Sequence, residues 1–371
     1  MKEIKAYYKT LKGSNYEIGT QLARWMLLTP EKMQSAVMPP DVYPQNKLNE
    51  IEELLDVYGP GINDEIQGFA DTIGIPKGQA LFYAMTYLER GCSMMAALPR
   101  KSTEGHTILA RNYDFSDSYD DLCLATTEIV GKYKHIGSLV NLFGRCDGMN
   151  ECGLAVSQAS NGMPVGNFEG GQKPGCTGLQ FWIIIRNILE NCKDVNEAIE
   201  YANRAPIGYN INLIIADKSG TIGLFESLNG QKAHKILNQN STEDYISVTN
   251  HTVLEQLKYF EPIMIENSLI RNQSIENVFN SKHLISKDDI KELLTESYPK
   301  GLCCHYYENY FGTLRSMVFD VTDLTLEMTF GTPQMNDWHT FNLDNVRDKE
   351  FSMKIPYEKV TKDFYNIVPR F

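Results

Sequence analysis

The sequence predicts an α+β fold: antiparallel sheets with helices packed on their outer faces. Three observations predict it. Helical texture fills the first ninety residues and stops near Gly91. Beyond that seam the order is strands, two helices, strands, helices, strands. Turn chemistry separates the strand signals, as in Lys218-Ser-Gly220 and Leu228-Asn-Gly230.

The elements follow in order. Apolar residues at helical spacing run from Tyr16 to Leu28, Leu48 to Tyr58 and Ile62 to Ile73, with the Gly59-Pro-Gly61 turn between the last two. Pro76-Lys-Gly78 opens a fourth helical stretch, Ala80 to Leu88. Strands are expected at Thr107–Ala110, Leu122–Val130, Ile136–Phe143 and Gly153–Ser157, bounded by Gly and Asp clusters. Helices follow at Leu179–Cys192 and, behind the N-cap signal Asp194, at Val195–Asn203. Strands return at Asn212–Ala216, Ile222–Glu226, Ala233–Leu237 and Tyr245–Val248. Helices are expected over Val253–Phe279 and Asp288–Glu296, and two strands, Thr313–Phe319 and Leu324–Phe330, close the pattern.

Composition narrows the function. The 371 residues are 42% hydrophobic and 22% charged, which suits a folded chain and excludes collagen and disorder. The formal net charge of −12 makes a poor general binder of nucleic acid or anionic membrane. The start, Met1-Lys-Glu-Ile-Lys-Ala-Tyr-Tyr8, carries no apolar signal core. The densest apolar run, Phe181–Ile185, meets Arg186 far short of a membrane span of ~20 residues. Eight scattered cysteines read as reduced thiols in a cytoplasm. No dinucleotide fingerprint, phosphate loop or paired zinc cysteines occur, so no cofactor and no metal are expected. Cys303-Cys-His305 does not change this, because adjacent ligands poorly chelate one tetrahedral zinc.

Four motifs carry the chemistry: Arg90-Gly-Cys92, Ala110-Arg-Asn-Tyr-Asp-Phe115, Gly148-Met-Asn-Glu-Cys-Gly-Leu-Ala155 and Thr249-Asn-His251. In this order they resemble the isopenicillin N acyltransferase type of N-terminal-nucleophile enzyme over about residues 80–335. Choloylglycine (bile-salt) hydrolases, penicillin V acylases and acid ceramidase are its more distant relatives. The resemblance implies a four-layer α-β-β-α sandwich with an N-terminal helical segment. It implies self-cleavage between Gly91 and Cys92. Residues 1–91 would become a helical small subunit and 92–371 the catalytic subunit, a two-chain unit open to further self-association.

The residues support this chemistry in their own right. A thiol attacks only as thiolate, with a free pKa near ~8.5, and an α-amino group titrates near ~7.7–8.0. A cysteine at a chain terminus therefore carries its own base. In the uncut chain that nitrogen is an amide, so cleavage is an activation step, and Gly91 leaves the scissile carbonyl open to the thiol. By resemblance Asp114 would hold the freed amine and Arg111 would favour the thiolate. Asn250 is the candidate oxyanion donor. Asn161, in Ser157-Gln-Ala-Ser-Asn-Gly162, is one residue out of register for a second donor. A second arginine is expected downstream of Asn250; Arg271 is preferred and Arg315 competes. Glu151 reads as structural. Tyr306–Phe311 and Met94–Leu98 are the stretches that could line an apolar acyl pocket.

The expected activity is hydrolysis of a linear amide, or acyl transfer from an amide or acyl-thioester, through a Cys92 acyl-enzyme. Three alternatives stay open: an acyl-CoA-dependent N-acyltransferase, an uncut binding protein of the same fold, and a papain-like hydrolase pairing Cys92 with His251 or His305.

Overall fold

The computed structural model describes residues 1–29, 37–39, 44–81, 91–163, 178–345 and 347–371. The chain opens on strand β1 (Lys2–Gly13), followed by α1 (Asn15–Leu27), α2 (Gln45–Tyr58), α3 (Ile62–Ile73) and the single turn α4 (Gly78–Leu81). A reciprocal Ser14–Glu17 capping box starts α1, satisfying two otherwise orphaned N–H groups. The expected helix Ala80–Leu88 lies largely outside the described residues.

From the seam onward come β2 (Gly91–Ala97), β3 (Ile108–Phe115), β4 (Cys123–Ile129), β5 (His135–Val140), β6 (Gly144–Arg145), β7 (Asp147–Asn150) and β8 (Leu154–Ser160). Helices α5 (Phe181–Asn191) and α6 (Val195–Arg204) follow, and Asp194 caps α6 by accepting the Glu197 N–H at 2.9 Å. Then come β9 (Ile211–Asp217), β10 (Thr221–Leu228), β11 (Gln231–Leu237) and β12 (Tyr245–Val248). After α7 (Glu255–Lys258), β13 (Ile263–Ile265), α8 (Glu266–Ser281) and α9 (Lys287–Thr295), the chain closes with β14 (His305–Tyr306), β15 (Phe311–Asp320), β16 (Thr325–Phe330), β17 (His339–Asn342), β18 (Lys349–Ile355) and β19 (Ile367–Pro369).

Two sheets face each other. One runs β11-β10-β9-β8-β7-β5-β4-β1-β18, with β6 beside β5; the other runs β12-β2-β3-β15-β16-β17, with β14 beside β15. Helices α5 and α6 cover the outer face of the first sheet, and α8 and α9 cover the second. This is the expected four-layer α-β-β-α sandwich. The pleat sorts β2 between two cores. Met94 and Ala96 point between the sheets, whereas Met95 and Ala97 pack under α8 and α9 with Ile275, Phe279, Leu293 and Leu294.

The structure corrects three expectations. The first ninety residues are not all helical, because β1 lies inside the first sheet, parallel to β4 and antiparallel to β18. Its signal is the alternation of Ile4, Ala6 and Tyr8 with residues on the other face. The long helix expected over Val253–Phe279 is interrupted, since Pro262 cannot donate to a helical ladder. Finally, Met94–Leu98 are at most 1% exposed and belong to the two cores, so they line no acyl pocket.

The segment before Cys92 is bound firmly to the rest. Glu65 of α3 and Glu190 of α5 both grip the buried Arg186 guanidinium, at 2.7 and 2.6 Å. Helices α1 and α3 cross closely enough that a Cβ on Gly19 would fall 1.8 Å from the Glu65 carbonyl oxygen.

Candidate active site

Cys92 is the second residue of β2, at the strand end where the seam enters the sheet. Antiparallel register sets Gly91 opposite Asp114, Cys92 opposite Tyr113 and Met94 opposite Arg111. Alternation then sends groups to Cys92 from two sides. Arg111 and Tyr113 face the inter-sheet core, while Asn112 faces the helix layer, where its amide bonds the Leu294 carbonyl at 2.9 Å. Asp114 shares that side with Thr313, whose hydroxyl donates to its carboxylate at 2.7 Å.

From the inter-sheet side, the Arg111 guanidinium donates to Cys92 Sγ at 2.7 Å. Its other arm is fixed by the Asp147 carboxylate at 3.0 Å and the Cys146 carbonyl at 2.9 Å. From the helix side, Arg271 of α8 donates to the Cys92 carbonyl at 2.7 Å, to Ser93 Oγ at 3.0 Å and to Asn250 Oδ1 at 2.8 Å. Phe311 stacks over this guanidinium, 4.8 Å from its carbon. Asn250 Oδ1 also accepts the Cys92 backbone N–H at 3.1 Å, and its Nδ2 donates to the Ser160 carbonyl and hydroxyl at 3.1 and 3.0 Å. The loop that carries Asn250 is pinned in turn: its N–H donates to Ser268 Oγ, and Gly162 N–H donates to its carbonyl.

Gly91 is demanded by space. A Cβ there would sit 2.2 Å from the Phe311 ring, so any side chain must displace a buried aromatic beside the Gly91–Cys92 bond.

The electrostatics favour the neutral thiol of Cys92. Burial pushes the Cys92 thiol up, and it outweighs the Arg111 charge that pulls it down; Asp114 adds to the rise. The expected Arg111 effect is therefore present but is overridden by burial. Asp114 is itself raised to about 6 by burial, opposed by Arg271, the Thr313 bond and Arg111. Its Oδ2 is buried and has no hydrogen-bond partner among the described residues.

The sign of the Asp114 shift fixes a pH dependence. Its neutral form favours the fold, fully so below its ordinary 3.8, and this contribution fades as pH rises through about 6. In an uncut Cys92→Ala chain, Asp114→Asn should therefore raise stability at pH 8 relative to pH 4, by on the order of 2–3 kcal/mol. Thermal unfolding of the two proteins across that range checks it.

Other candidates fall elsewhere. Arg315 is engaged with Asp120, at 2.7 and 3.1 Å, and lies 4.2 Å over the Tyr113 ring. The cation beside the backbone of Cys92 is thus Arg271. Asn161 is buried, accepts the Thr252 hydroxyl at 3.0 Å and leaves its Nδ2 without a partner among the described residues. His251 is neutral, lowered to about 3 by burial, and its ring bonds Ser268 Oγ at 2.8 Å. His305 lies between Thr332, at 3.0 Å, and Glu358, at 2.9 Å, with Cys303 Sγ 3.5 Å away. Both imidazoles thus have partners of their own, whereas the sulfur of Cys92 has the Arg111 guanidinium. Glu151 accepts the Lys134 N–H at 3.0 Å at the turn between β7 and β8. A group of metal-capable side chains, His106, Asp320 and Asp323, gathers at the other end of β3, where the Lys287 ammonium bonds Asp320 at 3.1 Å.

Sequence reasoning missed the supporting groups Asp147, Ser160, Asn267 and Thr313. Two had a readable signal. Asp147 is a charge in an otherwise uncharged strand, and Asn267 sits one helical turn before Arg271.

The four-layer sandwich is the frame of an N-terminal-nucleophile type of amidohydrolase or acyltransferase, and Cys92 stands at the head of one of its inner strands with arginines on its sulfur and its carbonyl. Residues 101–335 match the family described as acyl-coenzyme A:6-aminopenicillanic acid acyl-transferase, and the chain belongs to that family. The matched span contains Arg111, Asp114, Asn250 and Arg271 and begins downstream of Cys92. No curated protein sequence matches the chain. Among solved structures, a variant of conjugated bile acid hydrolase from Clostridium perfringens is similar, with a TM-score of 0.45 and 14% identity over 72% of this chain and 100% of that one. Penicillin V acylase from Agrobacterium tumefaciens gives 0.45 and 17% over 70% and 90%. The N-acylethanolamine-hydrolyzing acid amidase orthologue of Caenorhabditis elegans gives 0.44 and 16% over 62% and 93%. Among the described residues, no helix is long and apolar enough to cross a membrane.

Proposed function

We propose that the chain is a self-processing cysteine amidohydrolase or acyltransferase that works on a linear amide or acyl-thioester through a Cys92 acyl-enzyme. The observation that carries this reading is the convergence on residue 92: Arg111 on its sulfur, Arg271 on its carbonyl and Asn250 on its nitrogen.

Activation is an acyl shift followed by hydrolysis. Cys92 Sγ attacks the Gly91 carbonyl carbon, the C–N bond breaks and the nitrogen takes a proton. That shift frees the α-amine, and water then cleaves the thioester to release the Cys92 thiol and the Gly91 carboxylate. In turnover that amine takes the thiol proton, and sulfur attacks the substrate carbonyl. The leaving amine or thiol departs with the proton, and water or an amine then takes the acyl group. Asp114, buried on the helix side, holds the ammonium. The Asn250 amide, with its orientation fixed by Ser160 and Arg271, stabilises the tetrahedral oxyanion. The family's description as an acyl-coenzyme A-dependent transferase favours an amine as the second acceptor.

The test uses octanoyl-coenzyme A and a primary amine, with mass analysis of the quenched protein. The expected result is an octanoyl group on the polypeptide that begins at Cys92, with amide and free acid as products. An octanoyl adduct on another residue would overturn the assignment of the nucleophile.

A further inference from the structure

The last sixteen residues lie outside the matched span, yet their contacts lead back to the candidate site. After β18 the chain passes His305, where Glu358 N–H donates to its carbonyl at 3.1 Å. The Phe364 ring then packs edge-on against Phe311, Tyr306 and Tyr298, with centroids 4.9, 4.8 and 5.0 Å apart. Phe311 is the ring that covers Arg271 and touches Gly91. Next, the Phe364 carbonyl accepts Asn267 Nδ2 at 2.7 Å, and β19 pairs with β13. Finally, Arg370 grips Glu261, both on its carboxylate and, at 2.9 Å, on its carbonyl.

Two of these anchors stand one step from groups that face Cys92. Asn267 Oδ1 accepts from Arg271 at 2.8 and 3.3 Å. Glu261 accepts the Thr252 N–H at 2.8 Å, two residues beyond Asn250. Resting on the function proposed above, we propose that segment 356–371 is a strap that positions Arg271 through Asn267 and the Asn250 loop through Glu261.

The chemistry of an amide explains the first link. A side-chain amide rotates through two nearly equivalent orientations, and only one offers oxygen to a guanidinium. The Phe364 carbonyl accepts hydrogen bonds and donates none, so it holds the Asn267 N–H and turns Oδ1 toward Arg271. Without the strap the amide is free to present donors to a cation. For the second link, Glu261 is buried, and Arg370 supplies the charge that holds its carboxylate in place for the Thr252 N–H.

The experiment follows cleavage at Gly91–Cys92 over time, by intact mass, in the full chain and in Asn267→Leu, Asn267→Asp, Arg370→Ala and Arg271→Ala. Far-ultraviolet circular dichroism confirms that each is folded. Asn267→Leu and Arg370→Ala should slow cleavage tenfold to hundredfold, on the order expected when an orienting group shifts by up to an ångström. Asn267→Asp, which keeps an acceptor for Arg271, should be slowed less, a graded rescue that a purely structural role would not produce. If both Asn267→Leu and Arg370→Ala cleave at the parent rate while Arg271→Ala does not, the strap is overturned and the site reading stands. If Arg271→Ala cleaves normally, or the parent chain never cleaves, that reading falls and the strap falls with it.

Discussion

Cys92→Ala is expected to remain a single chain of 371 residues and to lose turnover by at least about 10⁴-fold. The sulfur is fully buried at the head of β2, so alanine fits its space and the sandwich should keep its fold. What disappears is the one atom that makes both bonds in the scheme, the internal thioester with Gly91 and the acyl-enzyme with substrate. The two losses have separate readouts. Denaturing electrophoresis reports the uncut chain, and product formation from octanoyl-coenzyme A reports the turnover. A variant that still cuts itself would show that the chain break has another origin. A variant that still turns over would remove Cys92 from the mechanism.

Asn250→Ala should lower turnover by 10²–10³-fold, the range of about 2.7–4 kcal/mol that a single oxyanion donor supplies. In this chain the same side chain does two jobs. Its oxygen accepts the Cys92 N–H and an Arg271 N–H, and its nitrogen donates to Ser160. Alanine therefore leaves the Cys92 nitrogen and a buried guanidinium each short of an acceptor, and the proposed self-cleavage should slow together with turnover. Asn250→Asp separates the jobs, because a carboxylate keeps the acceptor and loses the donor. It should cut itself faster than Asn250→Ala while remaining as poor in turnover. Parallel time courses of chain cleavage and product formation check both expectations.

Much of the architecture was legible because its helices and many strands carry their period openly. Helix α1 repeats Ile18, Leu22 and Met26 toward the core, and Asp194 announces α6. The elements missed have physical reasons. Strand β2 is buried on both faces, so its side chains show no alternation to read. Strand β18 does alternate, with Phe351, Met353 and Ile355 inward, but its partner β1 is almost the whole chain away. Pairing at that separation leaves no local trace. The site divides the same way. Cys92, Arg111, Asp114 and Asn250 stand in motifs whose order was visible, and Arg271 was preferred over Arg315 as the arginine downstream of Asn250. Their supports, Asp147, Ser160, Asn267 and Thr313, are single polar residues that gain meaning only once the sheets and α8 bring them together.

The position of the chain break tests the account most directly. Freshly purified protein is assayed for acyl transfer, and the same sample is denatured for intact-mass analysis and terminal sequencing. The account predicts that activity rises in proportion to a polypeptide starting at Cys92 with a free amine, the partner ending at Gly91. Full activity in a sample whose Gly91–Cys92 bond is intact would contradict it.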